Sequence, residues 1–67
     1  MADALTRREI EVLNHLAHGE TAHQVAKALA ITARTVSAHT QSACRKLDAA
    51  NCTQAVAIAI QDGMIEL

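Results

Sequence analysis

Sixty-seven residues with a net charge of −1 make one small domain at most, and that total argues against strong sequence-blind binding to nucleic acid. The hydrophobic fraction of 51% overstates the core, because 15 of those residues are Ala and there is no Phe, Tyr or Trp. No window holds the roughly 18 apolar residues of a membrane span, and the charged start MADALTRREIEVL lacks the apolar run of a signal peptide, so a cytoplasmic protein with no membrane partner is expected.

Four helices are expected, at about residues 7–18, 22–29, 33–47 and 54–62, in one all-α domain spanning residues 1–67. Thr6 opens the first, and Glu9 three residues on completes a capping box. Ile10, Leu13, Leu16 and Ala17 recur at helical spacing, and Gly19 ends the helix. Arg7, Arg8, Glu9 and Glu11 read as a solvated face. His15, His18 and His23 read as surface histidines and not as metal ligands.

Thr21 and Gln24 form a second box ahead of a short helix whose buried face is Val25, Ala26 and Leu29. Eight or so residues do not hold a helix alone, so packing must hold this one. After the turn Ala30, Ile31, Thr32, the third helix places Val36, Thr40, Ala43 and Leu47 on one inward stripe at 100° per residue. Arg34, Ser37, Ala38, Gln41 and Arg45 fall on the opposite side, with Thr35, His39 and Lys46 beside them. Thr40 sits where its hydroxyl can bond back to the Val36 carbonyl.

Thr53 or Asn51 caps the fourth helix and Gly63 stops it. Its centre, Ala55 to Ile60, is apolar all the way round, too much to bury in one small core, so its spare side is expected to meet a second chain. The tail after Gly63 packs back or frays. Cys44 and Cys52 lack metal or redox-motif spacing and read as reduced thiols.

From Thr21 to Leu47 there is no acidic residue, yet Lys27, Arg34, Arg45 and Lys46 all fall there. Two helices joined by a short turn, the second amphipathic and acid-free, make a helix-turn-helix whose second helix enters the major groove of double-stranded DNA. With no Gly-rich phosphate loop and no nucleophile–base spacing, neither an enzyme nor a cofactor is expected.

Particular residues sharpen this. The chain reads LTRREIEVL over 5–13, then Gly19, Val25 and Ala26, Leu29, Ile31 and Thr32, Thr35 and Val36, His39, Lys46 and Leu47, and Gln54 to Val56. In these positions, from Leu5 to about Ile60, it resembles the LuxR/FixJ/GerE family of bacterial DNA-binding domains. The ending from Asp62 to Leu67 is similar to that of the autoinducer-receptor branch, which serves quorum sensing. The resemblance implies a tetrahelical helix-turn-helix fold and the output domain of a transcription regulator. It further implies an upstream sensor domain outside this chain, and binding to an inverted repeat as a homodimer through the fourth helix, here Val56 and Ile60.

The resemblance also implies that Ser37, Ala38 and Gln41 face base edges, the same three that the helical wheel turns outward. Gln41 can pair with adenine, Ala38 can touch a thymine methyl, and Ser37 can donate or accept. Thr21, His23, Lys27, Thr32, Arg34, Thr35, Arg45 and Lys46 are expected at the DNA backbone, with Arg34 also able to read guanine. Departures are visible: Gly is usual where Ala30 stands, a basic residue where Ser37 and Cys52 stand, and an apolar one at Thr40. A second function competes on these grounds. The same fold can serve as a protein-interaction module that pairs with another regulator and binds DNA weakly alone.

Overall fold

The computed structural model describes residues 4–66. Met1, Ala2 and Asp3 of the charged start and Leu67 at the end of the tail lie outside them. Four helices follow in order: α1 (Arg7–Ala17), α2 (Ala22–Leu29), α3 (Ala33–Lys46) and α4 (Cys52–Gln61). Each begins at a side-chain cap, and α1 and α2 carry full capping boxes through Thr6 with Glu9 and Thr21 with Gln24. At α3, Thr32 Oγ1 accepts the Thr35 N–H at 3.1 Å. Asn51, not Thr53, caps α4 by accepting the Gln54 N–H at 2.8 Å, so this helix begins at Cys52, ahead of the expected residue 54.

All four helices end in the same way. A residue with positive φ follows the last turn at Gly19 (84°), Ala30 (57°), Asp48 (55°) and Gly63 (76°). The next residue's N–H reaches back five residues, from Glu20 to the His15 carbonyl, Ile31 to Ala26, Ala49 to Cys44 and Met64 to Ala59. This is the Schellman arrangement, which satisfies carbonyls a helix end otherwise leaves open. Two of the four are built on a residue with a Cβ, where the left-handed conformation costs about 1 kcal/mol.

The helices α1 and α3 each touch all three others, whereas α2 and α4 flank this central pair and do not touch each other. The core divides accordingly. Val12 packs with Val25, Ala26 and Val36 on the α2 side. Its neighbour Leu13 packs with Ala43, Ala55, Ala59 and Ile65 on the α4 side. Adjacent residues on α1 thus serve two clusters, which the expected stripe of Ile10, Leu13, Leu16 and Ala17 did not anticipate: Val12 is fully buried, and Ile10, Leu16 and Ala17 are half-buried. The tail packs back through Ile65, 5% exposed.

Two expectations need correction. Glu9 is not part of a solvated face but is 3% exposed. Its Oε1 accepts the Thr6 N–H at 2.7 Å and the Lys46 ammonium at 2.9 Å, so the cap and a bond to α3 both require the carboxylate inside. The fourth helix, in turn, has less spare apolar surface than its sequence suggests. Ala55 and Ala59 are buried, Val56, Ile58 and Ile60 are half-buried, and Thr53, Ala57 and Gln61 form a small, polar outer ridge. Val56 and Ile60 pack partly on the domain's own core.

Candidate nucleic-acid interface

Helix α3 presents the site. Its inward stripe is anchored by Val36 and Ala43, with Thr40 turned in and its hydroxyl donating to the Val36 carbonyl at 2.9 Å. That anchorage turns Arg34, Ser37, Ala38, Gln41 and Arg45 outward, and all five are exposed. The first turn of α3 is held by Thr32 and Thr35, whose hydroxyls lie 2.9 Å apart. One of the two hydroxyl protons bridges this pair while Thr32 Oγ1 also accepts the Thr35 N–H, so one proton is left to donate outward.

The start of α2 lies beside α3. Thr21, Ala22, Ser37, Thr40 and Gln41 line one cleft of about 350 Å³, together with Leu16, Glu20 and Cys52. The cleft therefore joins the N-terminal ends of α2 and α4 to the middle of α3. Helix N-termini offer open N–H groups and the positive end of the helix dipole, which suits phosphate. His23 and Lys27 are exposed along α2.

The cations divide into two kinds. Lys27, Arg34 and Arg45 are exposed and take part in none of the ion pairs among the described residues. Lys46 differs, since its ammonium is held by Glu9 and its side chain is only 21% exposed. Of the two cations that end α3, Arg45 is the one turned to solvent, and Lys46 fastens α3 to α1. Burial alone would raise the Glu9 carboxyl. Hydrogen bonds from the Ser42 hydroxyl and the Thr6 N–H, and the Lys46 charge, outweigh burial and lower it to about 2.

One further residue, Glu20, enters the site that the sequence did not bring there, and Cys52, noted in the sequence for standing where a basic residue is usual, lines it as well. Glu20 closes the α1 end, and His15 Nδ1 lies 2.8 Å from its Oε2, so His15 is a bonded, half-buried residue and not a solvated one. Cys52 reaches the cleft as the first residue of α4. Cys44 lies half-buried against the main core, where burial and then the neighbouring Cys52 push its thiol up, away from thiolate. The position of Glu20 directly between Gly19 and the Thr21 cap was the available local signal, but its place in the cleft depends on how α1 and α3 pack.

Comparison with known proteins agrees with this geometry. The family model described as bacterial regulatory proteins, luxR family, matches residues 3–59. The chain is 52% identical over 63 residues to the HTH-type quorum sensing-dependent transcriptional regulator RpaR of Rhodopseudomonas palustris, covering 94% of this chain and 26% of that protein. It is 45% identical over 62 residues to the transcriptional activator protein SolR of Ralstonia nicotianae, covering 92% and 26%. The HTH-type quorum sensing-dependent transcriptional regulator VjbR of Brucella ovis is 39% identical over 67 residues, covering 100% and 26%. The chain thus spans about a quarter of the length of these relatives. The solved structure of the transcription factor GerE superposes with a TM-score of 0.89 at 25% identity, covering 96% of this chain and 97% of that one.

Proposed function

Because this chain belongs to the luxR family of bacterial regulatory proteins, we propose that it is the sequence-specific, double-stranded-DNA-binding output domain of a transcription regulator, with α3 in the major groove. The observation that carries the reading is the outward face of α3: exposed Ser37, Ala38 and Gln41 at its centre, with exposed Arg34 and Arg45 toward its ends. Small neutral side chains meet base edges, and the flanking cations meet phosphates that position the helix without specifying sequence. Thr21, His23, Lys27, Thr32 and Thr35 add backbone contacts from the α2 start and the α3 cap.

The proposal extends to a homodimer on an inverted repeat. Supporting it are the half-buried Val56 and Ile60 beside an outer ridge of small side chains on α4, which lets two such helices approach closely. The relatives RpaR and VjbR are described as quorum sensing-dependent, and we extend that role, with a sensor domain elsewhere in the whole protein, to this one.

Selection of bound duplexes from a random pool, with the domain held as a dimer by a fused coiled coil, tests the reading. Two half-sites in inverted repeat, with centres about 10 bp or a multiple apart, are expected. On the selected duplex, Gln41→Ala costs about 1–3 kcal/mol and relaxes preference at one base position, whereas Arg45→Ala weakens all sequences alike and lowers the salt slope by about 1. Equal, sequence-independent effects of both changes contradict these roles. Absence of any salt-sensitive DNA binding favours the protein-interaction module instead.

A further inference from the structure

Glu20 stands at the border of the acid-free segment, yet the fold carries it into the cleft beside the α3 face. It follows Gly19, the left-handed residue that ends α1, and its N–H bonds back to the His15 carbonyl at 3.3 Å. At this position of a Schellman motif an apolar side chain usually folds onto the helix it ends. Here the contact is polar: the side chain turns back to the same His15, with Nδ1 donating to the Glu20 carboxylate at 2.8 Å. The bond fixes the carboxylate, with the side chain 33% exposed, at the mouth of the cleft lined by Thr21, Ser37, Gln41 and Cys52. It is the only carboxylate among the residues lining that cleft.

We propose that Glu20 acts as an anionic brake on phosphate contact, a group that weakens binding to every duplex alike and leaves discrimination to the base-facing residues of α3. The inference rests on the DNA-binding reading above. A fixed negative charge beside the α2 N-terminus opposes phosphates at a place where the helix dipole invites them. At about 4 Å in water a unit charge changes affinity about fivefold, less as salt screens it. The brake lowers occupancy of the large excess of non-target DNA, where electrostatic attraction supplies nearly all of the affinity.

The test measures affinity by fluorescence anisotropy for a selected duplex and a random-sequence duplex, at about 50 and 200 mM salt. It compares the wild-type domain with Glu20→Gln and Glu11→Gln. Glutamine keeps an acceptor for His15, so the first change removes charge and not the bond. Glu11 is a control of equal charge that lines a different cavity, with Ile10 and Met64. Glu20→Gln is expected to tighten both duplexes about fivefold at low salt and less at high salt, while Glu11→Gln stays within about twofold. Unchanged or weaker binding by Glu20→Gln, or an equal gain from Glu11→Gln, overturns the brake while leaving the DNA-binding reading intact. If neither wild type nor Glu20→Gln binds either duplex, both fall together.

Discussion

At Glu9 one carboxylate serves two purposes. It completes the α1 cap by accepting the Thr6 N–H and it holds Lys46 from the far end of α3, 37 residues away. Its carboxyl is lowered from the ordinary 4.5 to about 2. A depressed folded value means the stabilisation is fully present above the ordinary value and is lost as pH falls from about 4.5 toward 2. Glu9→Gln is expected to cost about 2 kcal/mol at neutral pH, because it leaves Lys46 half-covered without its partner. It should also flatten the acid limb of stability below pH 4.5, measured by urea unfolding across that range. An unchanged acid limb would place the pH dependence elsewhere. The sequence made the Thr6–Glu9 box legible because both partners are local. It left the Lys46 bond illegible, because the cap does not say what else reaches the same oxygen. For that reason a face of Arg7, Arg8, Glu9 and Glu11 looked uniformly solvated, when one member of it is buried.

Among the elements, starts were easier to read than ends and faces. Thr6, Thr21 and Thr32 announce their helices because side-chain capping is a short-range bond. At α4 two candidates competed, and Asn51 prevails with Gln54 as its target. The ends repeat one geometry at four places, but only Gly19 and Gly63 advertise it. Ala30 and Asp48 adopt the same positive φ without the residue that makes it cheap. Ala30→Gly is therefore expected to stabilise the domain by up to about 1 kcal/mol, a rise in Tm of roughly 4–8 °C for a domain of this size, read by thermal unfolding. The gain is reduced by the extra freedom Gly brings to the unfolded chain. A fall in Tm would mean that the Ala30 methyl is needed where it stands. The outward placement of Ser37, Ala38 and Gln41 was legible because Val36 and Ala43 fix the rotation of α3, and rotation alone decides which residues face out. The cleft was not, because all four helices contribute to it.

For the whole molecule, the division of the core has a consequence for assembly. The reading helix and the proposed dimer helix are joined through the α1–α3 pair, with Leu13 and Ala43 buried against Ala55 and Ala59. Ala57, exposed on the outer ridge of α4 and clear of that core, is the place to test the dimer. Ala57→Glu is expected to weaken binding to a duplex with two half-sites by at least about tenfold, and to leave a single half-site within about twofold, since only the linked second contact is lost. Equal loss on both duplexes would point to misfolding, which the melting curve would reveal, and no loss on either would remove α4 as the dimer helix. No helix among the described residues is long and apolar enough to cross a membrane.

That same shared core turns the proposed dimer into a caliper. With α4 packed directly on α3 across the short connection at residues 47–51, the two reading heads are held at a set separation and a set angular phase. DNA turns once in about 10 bp, so inserting one base pair between half-sites swings the second about 34° around the axis while moving it only about 3.4 Å. The stiffness that keeps a small core intact therefore becomes a ruler. Half-site spacing joins base sequence as something the protein measures, and a five-base-pair insertion, which puts the second site on the opposite face, should be the worst of all.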